Sequence, residues 1–198
     1  MRIGRLVTAA LLAAAAATPA RAQETAVFAG GCFWGIEAVF EHVKGVTEAV
    51  SGYAGGTVER PSYELVSTGM TGHAESVRVT YDPARVSYEQ LLEIFFAEHD
   101  PTQLDRQGPD TGTQYRSMVL FTTPEQERAA KAMIEKMTAA HRFPRAIVTE
   151  VRPLAKFFPA EEYHQNYLIH HKLQPYIVIN DLPKVADLAK RFPALYRE

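Results

Sequence analysis

A single cysteine in 198 residues is the feature that most restricts what this chain can fold into. It excludes an intramolecular disulfide, a cluster of cysteine metal ligands and a CxxC redox pair, so an apolar core must hold the fold by itself. The chain has the means. Apolar residues make up 46% and charged residues 22%, the balance of a packed soluble protein, and the length suits one domain.

The first 22 residues stand apart. Met1-Arg2-Ile3-Gly4-Arg5 is basic, Leu6 to Ala17 is an apolar run broken only by Thr8, and Thr18-Pro19 ends it before Ala20-Arg21-Ala22. A basic start, a short apolar stretch and a small-x-small site are the layout of a cleaved secretory signal, and the apolar part is too short for a retained anchor. Removing it leaves a single domain over residues 23–198, 176 residues long. Three arginines and no acid go with it, so the formal charge falls from −2 to −5. An acidic exported product is expected in a bacterial periplasm or outside the cell, with no affinity for nucleic acid or membrane. In an oxidising compartment a free thiol needs a reason.

The rest reads as alternating elements without linker or repeat. Thr25–Ala29 is a short apolar strand running into Gly30-Gly31, and Ile36, Val39, Phe40 and Val43 recur at helical spacing, so a helix begins near Cys32. Val46–Tyr53, Ser76–Tyr81, Ser117–Phe121 and Val148–Val151 read as further strands. Ser87 with Gln90 forms a capping-box pattern ahead of a stripe of Leu91, Leu92, Phe95, Phe96 and His99. Thr123-Pro124 opens a helix expected to reach Arg142, with Ala129, Ala130, Met133 and Met137 inward. Helices are also expected over Glu161–His171, with His164 and Tyr167 sharing one face, and over Lys184–Lys190. The pattern predicts an α/β or α+β sandwich around one sheet, with the last third mostly irregular chain over that core.

Chemistry concentrates at Gly30-Gly31-Cys32-Phe33-Trp34-Gly35. Two glycines turn strand into helix and place the thiol in the first helical turn, where free N–H groups and the helix dipole favour thiolate. A lone cysteine is also a common core residue, but flanking glycines and the chain's only tryptophan two residues away go beyond what a core helix needs. A lipoprotein cysteine would follow the apolar run directly, whereas Gln23-Glu24 intervenes and Ala29 stands three residues before Cys32.

Gly31-Cys32-Phe33-Trp34-Gly35 resembles the signature of peptide methionine sulfoxide reductases of the A type. The resemblance continues in order through Gly52-Tyr53-Ala54-Gly55-Gly56, Thr71-Gly72-His73-Ala74-Glu75, Tyr81-Asp82-Pro83 and His99-Asp100-Pro101-Thr102-Gln103, then through Asp110–Ser117 and Tyr163-His164-Gln165-Asn166-Tyr167-Leu168. It implies an α+β fold, a ferredoxin-like two-layer α/β sandwich core with a long irregular C-terminal segment. It also implies reduction of the S epimer of methionine sulfoxide, in proteins or free, through a cysteine sulfenic acid.

Such a reaction needs a soft nucleophile on sulfur and an acid for the departing oxygen. By resemblance Cys32 is the nucleophile and Glu75 the acid, its pKa raised by burial at the start of an apolar strand. Tyr53 and Tyr115 are phenols for the sulfoxide oxygen, Phe33 and Trp34 form the methyl pocket, and Asp110 fixes the geometry. Each has an ordinary alternative: core packing for the aromatics, a solvated strand end for Glu75, a turn for Asp110. His164 and Tyr167 belong to the rim or its support. No metal or bound cofactor is implied, and His170-His171 lack a ligand spacing.

The chain departs from relatives that carry resolving cysteines near the C-terminus, since Leu173–Glu198 holds none. It resembles the single-cysteine subgroup, so an external thiol, a thioredoxin-like protein or a small dithiol, is expected to reduce the sulfenic acid. Oxidised proteins or peptides are the expected substrates, and one small acidic domain is expected to act as a monomer. The competing enzyme reading is a cysteine-dependent hydrolase or acyltransferase that would pair Cys32 with His73 or His164. A thiol peroxidase would want an arginine beside the nucleophile, and a binding module would tolerate loss of the thiol.

Overall fold

The computed structural model describes residues 22–198, and the export signal expected at 1–22 lies, but for Ala22, outside them. The chain runs β1 (Glu24–Gly30), α1 (Phe33–Glu41), β2 (Val46–Ala54), α2 (Tyr63–Ser67), β3 (Ala74–Tyr81), α3 (Tyr88–Glu98) and the two-residue strands β4 (Arg106–Gln107) and β5 (Asp110–Thr111). It continues through β6 (Ser117–Phe121), α4 (Pro124–Ala139), β7 (Glu150–Pro153), β8 (Phe157–Pro159), α5 (Tyr167–His170) and α6 (Leu182–Arg191).

One six-stranded sheet has the order β7-β6-β1-β3-β2-β8. Its inner four strands are all antiparallel, and with α1 and α3 between them they make the β-α-β-β-α-β ferredoxin-like arrangement in an α+β fold. Beyond it, β7 joins one edge in parallel and β8 the other in antiparallel. β1 is central, and Ala26 to Gly30 are all buried. Phe28 on its inner face stacks on Phe40 of α1 and Phe95 of α3, at 5.2 and 4.9 Å between ring centres. These rings with Ile36, Val39, Leu91, Leu92, Val77 and Val79 form the main core between sheet and helices.

The expected starts hold where a side chain specifies them. Ser87 and Gln90 form the reciprocal capping box of α3, and Thr123 caps α4 ahead of Pro124. Three expectations are corrected. α4 stops at Ala139 rather than Arg142, with the chain turning at His141, which has φ 48°. The strand expected over Val148–Val151 pairs only from Glu150 and runs on to Pro153, because β6 offers its partners Met118 to Phe121 there. The helix expected over Glu161–His171 is broken into a 3-10 turn (Glu162–His164) and the four-residue α5, because Asn166 is left-handed at φ 53°. Its N–H is taken by the buried Glu37 carboxylate of α1 at 3.1 Å, a tertiary hydrogen bond in place of a helical one.

Candidate active site

The site begins where β1 hands over to α1. Gly31 holds φ 97°, and a side-chain carbon there would fall 2.5 Å from Gln107, so only glycine makes this turn. Cys32 follows as the N-cap of α1, 7% exposed. Phe33 donates its backbone N–H to Glu75 Oε2 at 3.0 Å, which brings the carboxyl of β3 to the first turn of the helix. Glu75 is almost fully buried, opposite Tyr53 in the β2–β3 pairing. Burial pushes its pKa up to about 8, against the pull of the Phe33 N–H, and the nearby acids Asp110 and Asp181 push the same way. Glu75 is therefore a proton-carrying acid at neutral pH.

The thiol departs from its expected state. Burial raises the Cys32 pKa well above its ordinary value, followed by Glu75 and Asp181, while Lys184 and the Trp34 N–H oppose them. The helix terminus is present, but desolvation outweighs it and one of its N–H groups is spent on Glu75. The resting group is a thiol, not a thiolate.

Around these two groups stands an aromatic wall. Phe33 packs against His164 and Tyr53, ring centres 5.0 and 5.9 Å apart. Trp34 stacks face to face on Tyr167 at 3.8 Å, meets Tyr176 edge-on at 6.0 Å and donates its indole N–H to His164 Nδ1 at 3.1 Å. His164 accepts that bond, and burial lowers its pKa, so it is a neutral ring in the wall. His164 and Tyr167 share no helix face, since Asn166 turns the chain between them; they meet because both clasp Trp34.

The remaining expected residues divide. Tyr53 is buried, and its hydroxyl donates to Glu161 Oε2 at 2.7 Å, so its proton is already engaged rather than free. Tyr115 closes the 3-10 turn Thr113–Tyr115 within electrostatic reach of Glu75 and Cys32. Burial and then Glu75 raise its pKa, which keeps it a neutral phenol. Asp110, on β5, accepts a hydrogen bond from the Tyr176 hydroxyl and so ties that ring to the site.

Sequence reasoning did not find Tyr63, Glu161, Tyr176, Asp181 and Lys184. Glu161 bridges the Tyr53 hydroxyl and the Tyr63 N–H. Asp181, fully buried, pairs with Lys184 at 3.0 Å and lies so close to α1 that a side-chain carbon on Gly35 would fall 2.2 Å from its carboxylate. Only Asp181 carried a signal, as an acid before Leu182-Pro183 in cap position, and it makes no cap bond. The histidines proposed for a hydrolase are occupied elsewhere. His73 sits between Gly56 N–H and the Val58 carbonyl, His164 takes the indole, and among the described residues no histidine hydrogen-bonds Cys32.

Comparison with known proteins agrees with this geometry. Residues 24–195 match the family described as peptide methionine sulfoxide reductase. Peptide methionine sulfoxide reductase MsrA 2 of Mesorhizobium japonicum is 54% identical over 177 residues, covering 89% of this chain and 91% of that protein. The crystal structure of Mxr1 from Saccharomyces cerevisiae in reduced form is similar with a TM-score of 0.71 at 32% identity, over 79% of this chain and 89% of that one. Mxr1 has also been solved in complex with Trx2; that structure is 23% identical with a TM-score of 0.52, over 78% and 90%, a likeness of fold alone.

Proposed function

The chain belongs to the peptide methionine sulfoxide reductase family, A type, and is an oxidoreductase that reduces methionine sulfoxide to methionine; from that premise we propose how its own residues divide the work. Cys32 attacks the sulfoxide sulfur, and Glu75 delivers its proton to the sulfoxide oxygen as charge develops there. The oxygen passes to Cys32 as sulfenic acid, the substrate sulfur gains two electrons, and methionine leaves. The observation that carries this reading is the buried Glu75 carboxyl held to the Phe33 N–H one residue from the buried thiol. The acid lets the thiol stay neutral at rest and turn nucleophilic only when a polar S=O enters to take a proton.

Phe33 and Trp34 give the methyl group its apolar pocket and select the S epimer, with Tyr167 and His164 fixing the indole plane. Tyr115 donates to the sulfoxide oxygen, and Asp110 positions Tyr176 beside it. Tyr53 acts through Glu161 as part of the support.

The chain has no second cysteine. An external thiol must therefore attack the sulfenic sulfur and release water, and another must free Cys32 from the mixed disulfide. The Mxr1–Trx2 complex supports a thioredoxin-like protein for this step, with a small dithiol as its chemical equivalent. We further propose cleavage after Ala22, giving a monomeric 23–198 domain in the periplasm or medium. Mass spectrometry of exported protein would then read a chain starting at Gln23 without lipid, and retention of residues 1–22 would refute it.

The decisive test is the mass of Cys32 after one turnover with an S-sulfoxide peptide and no reductant. One added oxygen on that residue is expected, and an unmodified thiol beside reduced peptide would overturn the reading. With thioredoxin or dithiothreitol turnover becomes catalytic; strictly stoichiometric reduction would remove the recycling step.

A further inference from the structure

The described residues contain four methionines. Met118, Met133 and Met137 are 0, 9 and 3% exposed, while Met70 is 84% exposed. A dissolved oxidant meets an exposed thioether first, and oxidation turns an apolar side chain into a polar one.

Met70 lies on the turn between α2 and β3, where Gly69 and Gly72 both hold positive φ, 75° and 71°. The foot of this turn is fixed from both sides. Thr113 Oγ1 donates to the Gly69 carbonyl at 3.0 Å, Arg116 Nη2 to the Gly72 carbonyl at 2.8 Å and the Thr57 N–H to the Thr71 carbonyl at 3.4 Å. The Met70 N–H itself is held by Thr68 Oγ1 at 3.2 Å. A pinned turn with its methionine at the tip offers that side chain outward. Folding it back toward the buried thiol of the same molecule would break those bonds, and presenting it to another molecule breaks none.

We propose that Met70 is an oxidation site of this protein and that its S-sulfoxide is a substrate for a second copy of the chain. The inference rests on the reductase reading above and names one protein-bound substrate for it. A peroxide transfers one oxygen to the Met70 thioether and is itself reduced to water or alcohol. Cys32 of the second copy then takes that oxygen, so Met70 sulfur is reduced by two electrons and the cysteine becomes sulfenic acid. Two equivalents of external thiol return it to thiol and release water.

The test uses Cys32→Ser protein, which cannot repair itself, treated with hydrogen peroxide and mapped by peptide mass. Trace Met70→Leu protein is then added with dithiothreitol, and a free S-sulfoxide peptide in the same tube serves as internal control. The expected result is one oxygen on the Met70 peptide well ahead of Met118, Met133 and Met137. About half of it is lost on adding enzyme, because one enzyme serves one epimer. Oxygen appearing first on the buried methionines would overturn the proposal, as would Met70 sulfoxide that persists while the control peptide is reduced. If the control also persists, the reductase reading fails and this proposal with it. Repair of peroxide-treated wild-type protein should quicken per molecule as protein concentration rises; a rate independent of concentration would mark repair within one chain and overturn the second-copy assignment.

Discussion

Two regions meet at Cys32, and they are built on different principles. The floor of the site, Gly31 to Gly35 with Glu75, stands on the central strand β1, the helix α1 and the neighbouring strand β3, so the nucleophile and the acid inherit the rigidity of the main core. The wall is chain from Glu161 to Lys184. It follows β8, contributes no strand to the sheet and has little regular helix, and side chains fasten it to the core: Glu37 to Asn166, Gln165 to Ser51, Glu161 to Tyr53 and Tyr63. Reacting groups and the pocket rings Phe33 and Trp34 thus sit on secondary structure, while a segment held by a few polar bonds fixes how those rings stand. The comparison predicts that changes to the floor remove chemistry, whereas changes to the wall alter fit or stability.

Cys32→Ser is the largest break on the floor. It should abolish sulfoxide reduction while leaving the thermal transition near that of wild type, since a buried sulfur is replaced by oxygen of similar size. Measurable turnover would shift the nucleophile elsewhere. Glu75→Gln keeps an acceptor for the Phe33 N–H but loses the proton, so single-turnover reduction should slow by about 10²–10⁴-fold. Wild-type reduction should fall as pH rises through about 8, where Glu75 loses its proton, until thiolate formation interferes. The variant should lack that fall, and an unchanged profile would deny Glu75 the acid role.

Glu37 lies at the junction of floor and wall. Burial, then Glu41, pushes its pKa up to about 7 from 4.5, and one of its oxygens has no partner. An acid bound more tightly by its proton in the folded state contributes fully below about 4.5 and costs stability as pH rises through about 7. Glu37→Gln keeps the acceptor for Asn166 and can donate to the Ser51 hydroxyl. It should therefore be more stable than wild type at pH 8, by up to about 3 kcal/mol. The advantage should vanish near pH 4.5. Parallel denaturation curves at both pH values would refute a proton on Glu37.

The floor was legible in the sequence and most of the wall was not, for a physical reason. Gly31, Cys32 and the spacing of Ile36, Val39 and Phe40 state a strand, a forced turn and a helix within a dozen residues, and Ser87 with Gln90 states a cap locally. Cys32's protonation was not legible: burial by distant chain outweighs the helix end that local reasoning could see. The wall depends on partners about 100 residues away. Nothing near Glu161 announces Tyr53, and nothing near Asn166 announces that Glu37 will take its N–H and break the expected helix. The shared helix face expected of His164 and Tyr167 does not exist; what joins them is Trp34, which each contacts.

The smallest change that sharpens the contrast is Gln165→Ala. Gln165 accepts from the Ser51 N–H and donates to the carbonyls of Ser51 and Ala160, all at 3.0 Å, so it acts as an extra rung between β2 and the wall. Nothing in that rung touches Cys32 or Glu75. Its loss should cost about 1–3 kcal/mol of stability, within the range for buried polar groups left without partners. The freed segment would hold Trp34 less firmly through His164 and Tyr167. In single-turnover reduction of a sulfoxide peptide, the saturating rate should then stay within about twofold of wild type while the half-saturating concentration rises about tenfold, the size of a lost 1.4 kcal/mol of binding. Alkylation of Cys32 by iodoacetamide should keep its pH dependence, because the acid and thiol remain on the core. A matching fall in saturating rate would mean that the wall positions the reacting atoms as well, and the division between the two regions would have to be redrawn.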